Sequence, residues 1–260
     1  MNFPITPVLE EIETFSRLGF DYLELAMDPP MAHYSVLARI KGLITTALKE
    51  NQLGLICHLP TFVSTADLTD SIRNASISEM QNSLTLAADL GAKKAVLHPS
   101  MVVGMGGYVM DTVKEYALDF LSQMTDSASS IGISLCLENM FPRNVLGVEP
   151  FEFTKLLGTF PTLKLTLDTG HANIAAHGND RMDQFLDQFG HRIGHLHFSD
   201  NHGYRDDHLP IGDGIINFRR LIRGIKKCGY DDTLTLEVFD QNRQNLVSSR
   251  EQLCKILQSV

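Results

Sequence analysis

Residues 164–171 read KLTLDTGH, and the alternation within them decides the fold. Successive side chains of a strand point to opposite faces, so Leu165 and Leu167 share one face while Thr166 and Asp168 share the other. Leucines suit a covering layer of helices, and the polar pair suits the interior of a barrel whose strand ends carry chemistry. The pattern recurs on both sides. In SLCLEN (134–139) Leu135 and Leu137 oppose Cys136 and Glu138, and in TLTLEVF (233–239) Leu234 and Leu236 oppose Thr235 and Glu237. The inward pair is His195 and His197 in IGHLHFSDN (193–201), Val96 and His98 in KAVLHPS (94–100), and Ile56 and His58 in GLICHLP (54–60). Consecutive strands therefore end on an inward His, Asp or Glu.

Short apolar runs alternate with amphipathic stretches along the whole chain, the signature of β/α units. Strands are expected at 3–5, 21–26, 54–59, 95–98, 134–139, 164–168, 193–198 and 233–239. Helices are expected at 71–90 and 110–131, closed by Gly91 and Gly132, with a last one over 242–258. Eight such units predict a (β/α)8 TIM barrel, a single α/β domain over residues 1–260 without an internal linker. The segment at 3–5 is the least strand-like of the eight.

The formal net charge is −9, from 22 basic against 31 acidic side chains. That balance argues against nucleic acid as a partner, since phosphate backbones are held by Lys and Arg. Cys57, Cys136, Cys228 and Cys254 show no paired spacing and read as reduced. With no leader-like start and no long apolar run, a cytoplasmic protein without a membrane span is expected.

Residues at the C-terminal ends of barrel strands face the side on which such enzymes build their sites. His58, His98, Glu138, Asp168, His197 and Glu237 are expected to converge there, with His171, Asp206 and His208 within reach of the same rim. One inward His is as readily a hydrogen-bonded structural residue. A full set of buried His and carboxylate groups would repel and desolvate one another unless cations relieved them. The N and O donors suit zinc, manganese or iron, one to three ions. His195, one layer deeper, reads as a core-layer residue or one that supports a ligand from behind, and Glu24 as a partner orienting a ligand. Arg205 and Arg143 are candidates for steadying a substrate, against the plainer reading of surface arginines. GMGGY (104–108) reads as a flexible lid or turn, and Phe62, Met101 and Met105 as loop residues that wall off solvent or pack on the core.

The segments GFDYLEL, LENM, LDTGHANI, HLHFSDN and HLPIGDGIINF resemble, in order and spacing, landmarks of the xylose-isomerase-like barrel superfamily. That group includes sugar isomerases and epimerases and the endonuclease IV type of apurinic endonuclease. In the isomerase branch the resemblance implies one metal on Glu138, Asp168, His197 and Glu237. The two glutamates would act as acid and base through an enediolate, with His171 touching a sugar or sugar phosphate. In the endonuclease branch it implies three zinc ions: one on His58, His98 and Glu138, one on Glu138, Asp168, His197 and Glu237, and one on His171, Asp206 and His208. The loop DPPMAHY offers no Lys or Arg to grip a duplex, which favours the isomerase branch, with the phosphoesterase as alternative. A metal-bearing barrel with a purely binding role is a third class that nothing in the sequence requires. Oligomeric state, a homo-oligomer included, stays open.

Overall fold

A computed structural model describes residues 1–144, 146–240 and 242–260. The strands are β1 Tyr22–Ala26, β2 Gly54–His58, β3 Lys94–Leu97, β4 Ser134–Glu138, β5 Lys164–Asp168, β6 Ile193–Phe198 and β7 Leu234–Leu236. Their order in the sheet follows the chain from β1 to β7. Two compact units divide the chain, Met1–Cys136 and Leu137–Val260, and β4 runs through the division.

In the first unit, β1 pairs parallel with β2, and β2 with β3. Helices Tyr34–Arg39 and Lys41–Glu50, then Asp70–Asp89, form the crossovers, and Met110–Ile131 leads into β4. The last of these ends on Gly132 at φ 74°, a left-handed residue that costs a side-chain-free glycine little. Ile56, Val96 and Cys136 pack on one another as a buried cluster, so the inward row expected for β2, β3 and β4 is formed.

The strand expected at 3–5 is absent, so among the described residues seven strands stand where eight were expected. Asn2 lies along β1: its N–H donates to the Glu24 carbonyl at 3.2 Å, and its side-chain oxygen accepts the Ala26 N–H at 2.6 Å. Pro4 lacks the N–H that the next rung requires, and the chain turns instead, with Thr6 N–H donating to the Phe3 carbonyl.

In the second unit, β5 pairs parallel with β6 and β6 with β7. The connections are Pro150–Thr159, then Thr169–Asn173 and Asp180–Phe189, then Phe218–Lys227, and Gln244–Gln258 closes the chain. The β5–β6 register skips a residue: Leu165 lies beside Ile193, but Thr166 beside His195 and Asp168 beside His197. The extra residue is Gly194. A one-residue slip moves a strand's side chains to the other face, so this bulge brings His195 and His197 onto the face of Thr166 and Asp168.

Gly190, where helix Asp180–Phe189 gives way to β6, sits against Cys228. A Cβ on it would lie 2.5 Å from the Cys228 Cβ. Gly190→Ala is expected to cost about 1–3 kcal/mol through overpacking, read as a lowered urea midpoint at unchanged slope.

Candidate metal centre

β4, β5, β6 and the residue following β7 deliver Glu138, Asp168, His197 and Glu237, all buried. One donor atom from each lies within 4.8 Å of every other, a spacing that could hold a metal ion. His197 is the hub. Its Nδ1 stands 3.4 Å from Glu138 Oε1, 3.3 Å from Glu237 Oε2 and 3.8 Å from Asp168 Oδ2. Asp168 Oδ2 and Glu237 Oε2 are buried and have no hydrogen-bond partner among the described residues, although buried polar atoms are nearly always satisfied.

Burial drives the Asp168 carboxyl upward. His171 opposes this, Glu138, Glu237 and Asp206 reinforce it, and the pKa is pushed up to about 8. Glu237 goes the other way: burial would raise it, but His197 and His208 outweigh burial and hold it below the usual carboxylate range. One carboxyl that keeps its proton beside another that loses it is the division acid–base chemistry uses.

Three further residues extend the cluster. The short helix Thr169–Asn173 starts on Asp168, whose side chain accepts the His171 N–H at 2.5 Å, and this turns the His171 ring toward β4. His171 Nδ1 lies 2.9 Å from the Asn139 carbonyl and 3.1 Å from Glu138 Oε1. Its Nε2 lies 3.2 Å from Asp206 Oδ2, the same oxygen that His208 Nε2 approaches at 2.9 Å. Burial disfavours charge on both rings, but for His171 it is outweighed by Asp168, Asp206 and Glu138, and its pKa stands well above the ordinary value. For His208, Asp206 and Glu237 outweigh burial and lift it to about 9. Asp206, despite burial, is held low by the same two imidazoles.

The loop carrying Asp206 and His208 is braced at its base. Asp200 and Leu209 exchange backbone hydrogen bonds at 2.9 Å, and the Asp200 carboxylate collects the N–H groups of Asn201, Gly212 and Ile216. Asn201 donates to the Gly170 carbonyl and accepts from Asn173 and Gly203.

Seven of the expected ligands thus form one cluster in the second unit. In the first unit, His58 and His98 stand edge to face with ring centroids 4.8 Å apart, and His58 Nδ1 meets the Leu59 carbonyl at 2.9 Å. His195 is held by the Thr233 and Thr235 hydroxyls, the behaviour of a core-layer residue. Arg143 is exposed on the turn Pro142–Asn144, and Arg205 is exposed and paired with Asp207. GMGGY forms a 3-10 helix, Gly104–Tyr108. Phe62 and Met105 are exposed rather than packed in the core. Asn139, Asp200 and Asn201 were missed as site-building residues. Their signal was placement, each being a polar residue directly after or near an inward ligand at a strand end.

A family model described as "Xylose isomerase-like TIM barrel" matches residues 12–257. The chain belongs to this family. Among similar proteins, L-ribulose-5-phosphate 3-epimerase UlaE of Salmonella typhi is 23% identical over 252 residues, covering 91% of this chain and 84% of that protein. A crystal structure of a D-tagatose 3-epimerase-like protein superposes with a TM-score of 0.85 at 26% identity, over 95% of this chain and 92% of that one. The IOLI protein, solved with a bound zinc atom, matches with a TM-score of 0.80 at 16% identity, over 98% and 94% of the two chains. Among the described residues no helix is long and apolar enough to cross a membrane.

For this member of the xylose isomerase-like family, the seat of His171 is tight. A Cβ on Gly170 would lie 2.5 Å from Ser199 Oγ and 3.4 Å from Asp168 Oδ1. Gly170→Ala is expected to displace helix Thr169–Asn173, destabilise the fold by about 1–3 kcal/mol and shift the His171 ring resonances in an imidazole NMR spectrum.

Proposed function

We propose that this protein is a divalent-metal-dependent isomerase or epimerase of a sugar or sugar phosphate. The observation that carries the reading is the four-donor cluster of Glu138, Asp168, His197 and Glu237. Its two glutamates come from different strand ends and share one imidazole hub. The epimerase activities of the relatives named above agree with it.

The cluster fits a metal on its own chemistry. Two of its carboxylate oxygens are buried without a hydrogen bond among the described residues, and Asp168 retains a proton because burial, reinforced by the acids around it, disfavours its charge. One imidazole and three carboxylates suit zinc or manganese, with iron also compatible. When bound, such an ion would polarise a carbonyl and an adjacent hydroxyl, making the C–H between them more acidic.

The chain's own residues account for the proton movements. Glu237, held ionised by His197 and His208, is the base that takes the proton from the carbon beside the carbonyl, leaving the electron pair in an enediolate. Glu138 returns a proton to that carbon from the other side, which inverts it. His171, 3.1 Å from Glu138 Oε1 and carrying a proton, keeps Glu138 supplied. Asp206 holds His171 from its far nitrogen. Arg205 and Arg143 are assigned to the sugar hydroxyls or phosphate. A cluster of three ions, drawing also on His58, His98, His171, Asp206 and His208, would instead serve phosphoester cleavage, and stoichiometry separates the two.

Elemental analysis of the purified protein is expected to find one zinc or manganese per chain, largely lost in Glu138→Ala and Asp168→Ala. Absence of metal with no uptake on addition would sink the proposal, and three ions would shift it to the phosphoesterase. Incubated in heavy water with a panel of ketoses and ketose phosphates, the enzyme should introduce deuterium beside the carbonyl. Glu237→Gln should slow this about 10²–10⁴-fold.

Uptake should also depend on pH. A metal binds the deprotonated carboxylate, so below about pH 8, where Asp168 keeps its proton, binding must expel that proton and weakens as pH falls. Proton release in weakly buffered solution should therefore appear near pH 7 and fade as pH rises past about 8.

A further inference from the structure

Asn139 follows Glu138 where β4 ends, and it is completely buried. Its backbone N–H donates to the Thr166 carbonyl at 3.3 Å, the last main-chain rung toward β5. Asp168 is the last extended residue of β5, because it also caps the helix Thr169–Asn173. The Asn139 carboxamide takes over. Its Nδ2 donates to the Asp168 carbonyl at 3.0 Å, and its Oδ1 accepts the Asp168 N–H at 2.8 Å. A carboxamide carries one donor group and one acceptor on a plane, as a peptide does, so it can stand in for a strand neighbour. The Asn139 carbonyl then meets His171 Nδ1 at 2.9 Å.

We propose that Asn139 is a positioning residue whose carboxamide forms an extra rung of the ladder, fixing Asp168 and, through its carbonyl, His171 relative to Glu138. The inference rests on the metal-dependent reading above. Three groups from two successive strand ends take their placement from this one residue. Alanine would leave the buried Asp168 N–H and carbonyl unsatisfied and let the Asp168 peptide rotate, moving its carboxylate. Aspartate would set a second acceptor against the Asp168 carbonyl.

A matched control exists in the same unit. Asn179 is also buried and makes the same double contact with one peptide, donating to the Asn217 carbonyl at 3.1 Å and accepting the Asn217 N–H at 3.2 Å. It touches none of the cluster residues through these bonds.

The experiment compares wild type, Asn139→Ala and Asn179→Ala by urea unfolding, by calorimetric manganese affinity, and by the visible absorption of the cobalt-loaded proteins. Both variants should lose stability. Only Asn139→Ala should weaken manganese binding, by about 10–100-fold, and alter the cobalt bands. If Asn139→Ala does not fold, Asn139→Gln, which keeps the carboxamide one methylene too far out, should show the same selective loss. Wild-type affinity and an unchanged cobalt spectrum in the Asn139 variants, or an equal loss of affinity in Asn179→Ala, would reduce Asn139 to a structural role and overturn the proposal. Wild-type protein that binds neither manganese nor zinc would overturn the metal reading itself, and that result is visible before any variant is compared.

Discussion

The second unit is organised around charges that cannot all be satisfied at once. Glu138, Asp168, Asp206 and Glu237 are gathered about His171, His197 and His208, mostly out of water. Carboxylates packed this closely cannot all ionise unless positive charge is supplied. The imidazoles supply part of it, holding Asp206 and Glu237 ionised, and Asp168 keeps a proton. The strands, the bulge at Gly194 and the cap on helix Thr169–Asn173 all serve to hold these groups together against their repulsion. A fold that maintains such an arrangement is spending stability on a purpose other than packing.

Much of this could be read from residue order, because strand parity is a strong rule. Six inward residues were named from the alternation of leucines with polar groups, and the second unit brings its four, Glu138, Asp168, His197 and Glu237, within one small volume. The packing of Ile56, Val96 and Cys136 bears out the same rule in the first unit. Parity was less safe than it looked between β5 and β6. A register skip at Gly194 was needed for the histidines of β6 to share the face of Asp168, and nothing in the spacing of IGHLHF announces it.

Where the reading went astray, local chemistry overrode pattern. At 3–5 the apolar residues suggested a strand, but Pro4 cannot donate to a ladder, and the contacts to β1 come from Asn2, just before it. Of the two readings kept for Phe62 and Met105, loop residues or core packing, their exposure removes the second. The hydrogen-bonding roles of Asn139, Asp200 and Asn201 depend on which backbone groups are orphaned where strands stop, a question only coordinates answer. His195 was expected as a core-layer or ligand-supporting residue from its deeper position on the strand, and the Thr233 and Thr235 hydroxyls that hold it depend on neighbours that residue order does not name.

The brace at Asp200 has an implication for how such a protein can diversify. The segment between Asn201 and Leu209 is closed at its base by the paired backbone bonds of Asp200 and Leu209 and tied again where Gly203 accepts the Ala175 N–H, and the Asp200 carboxylate secures the chain beyond it at Gly212 and Ile216. Its outer positions, Tyr204 and Arg205, are exposed, while Asp206 and His208 lie next to the fixed end. Residues at the outer bend can therefore be exchanged, lengthened or recharged by evolution with little disturbance to the histidine–carboxylate contacts below. The histidine–carboxylate contacts and the exposed bend thus occupy separate parts of the same nine residues of chain, and an exposed bend accepts variation more readily than the contacts that brace it.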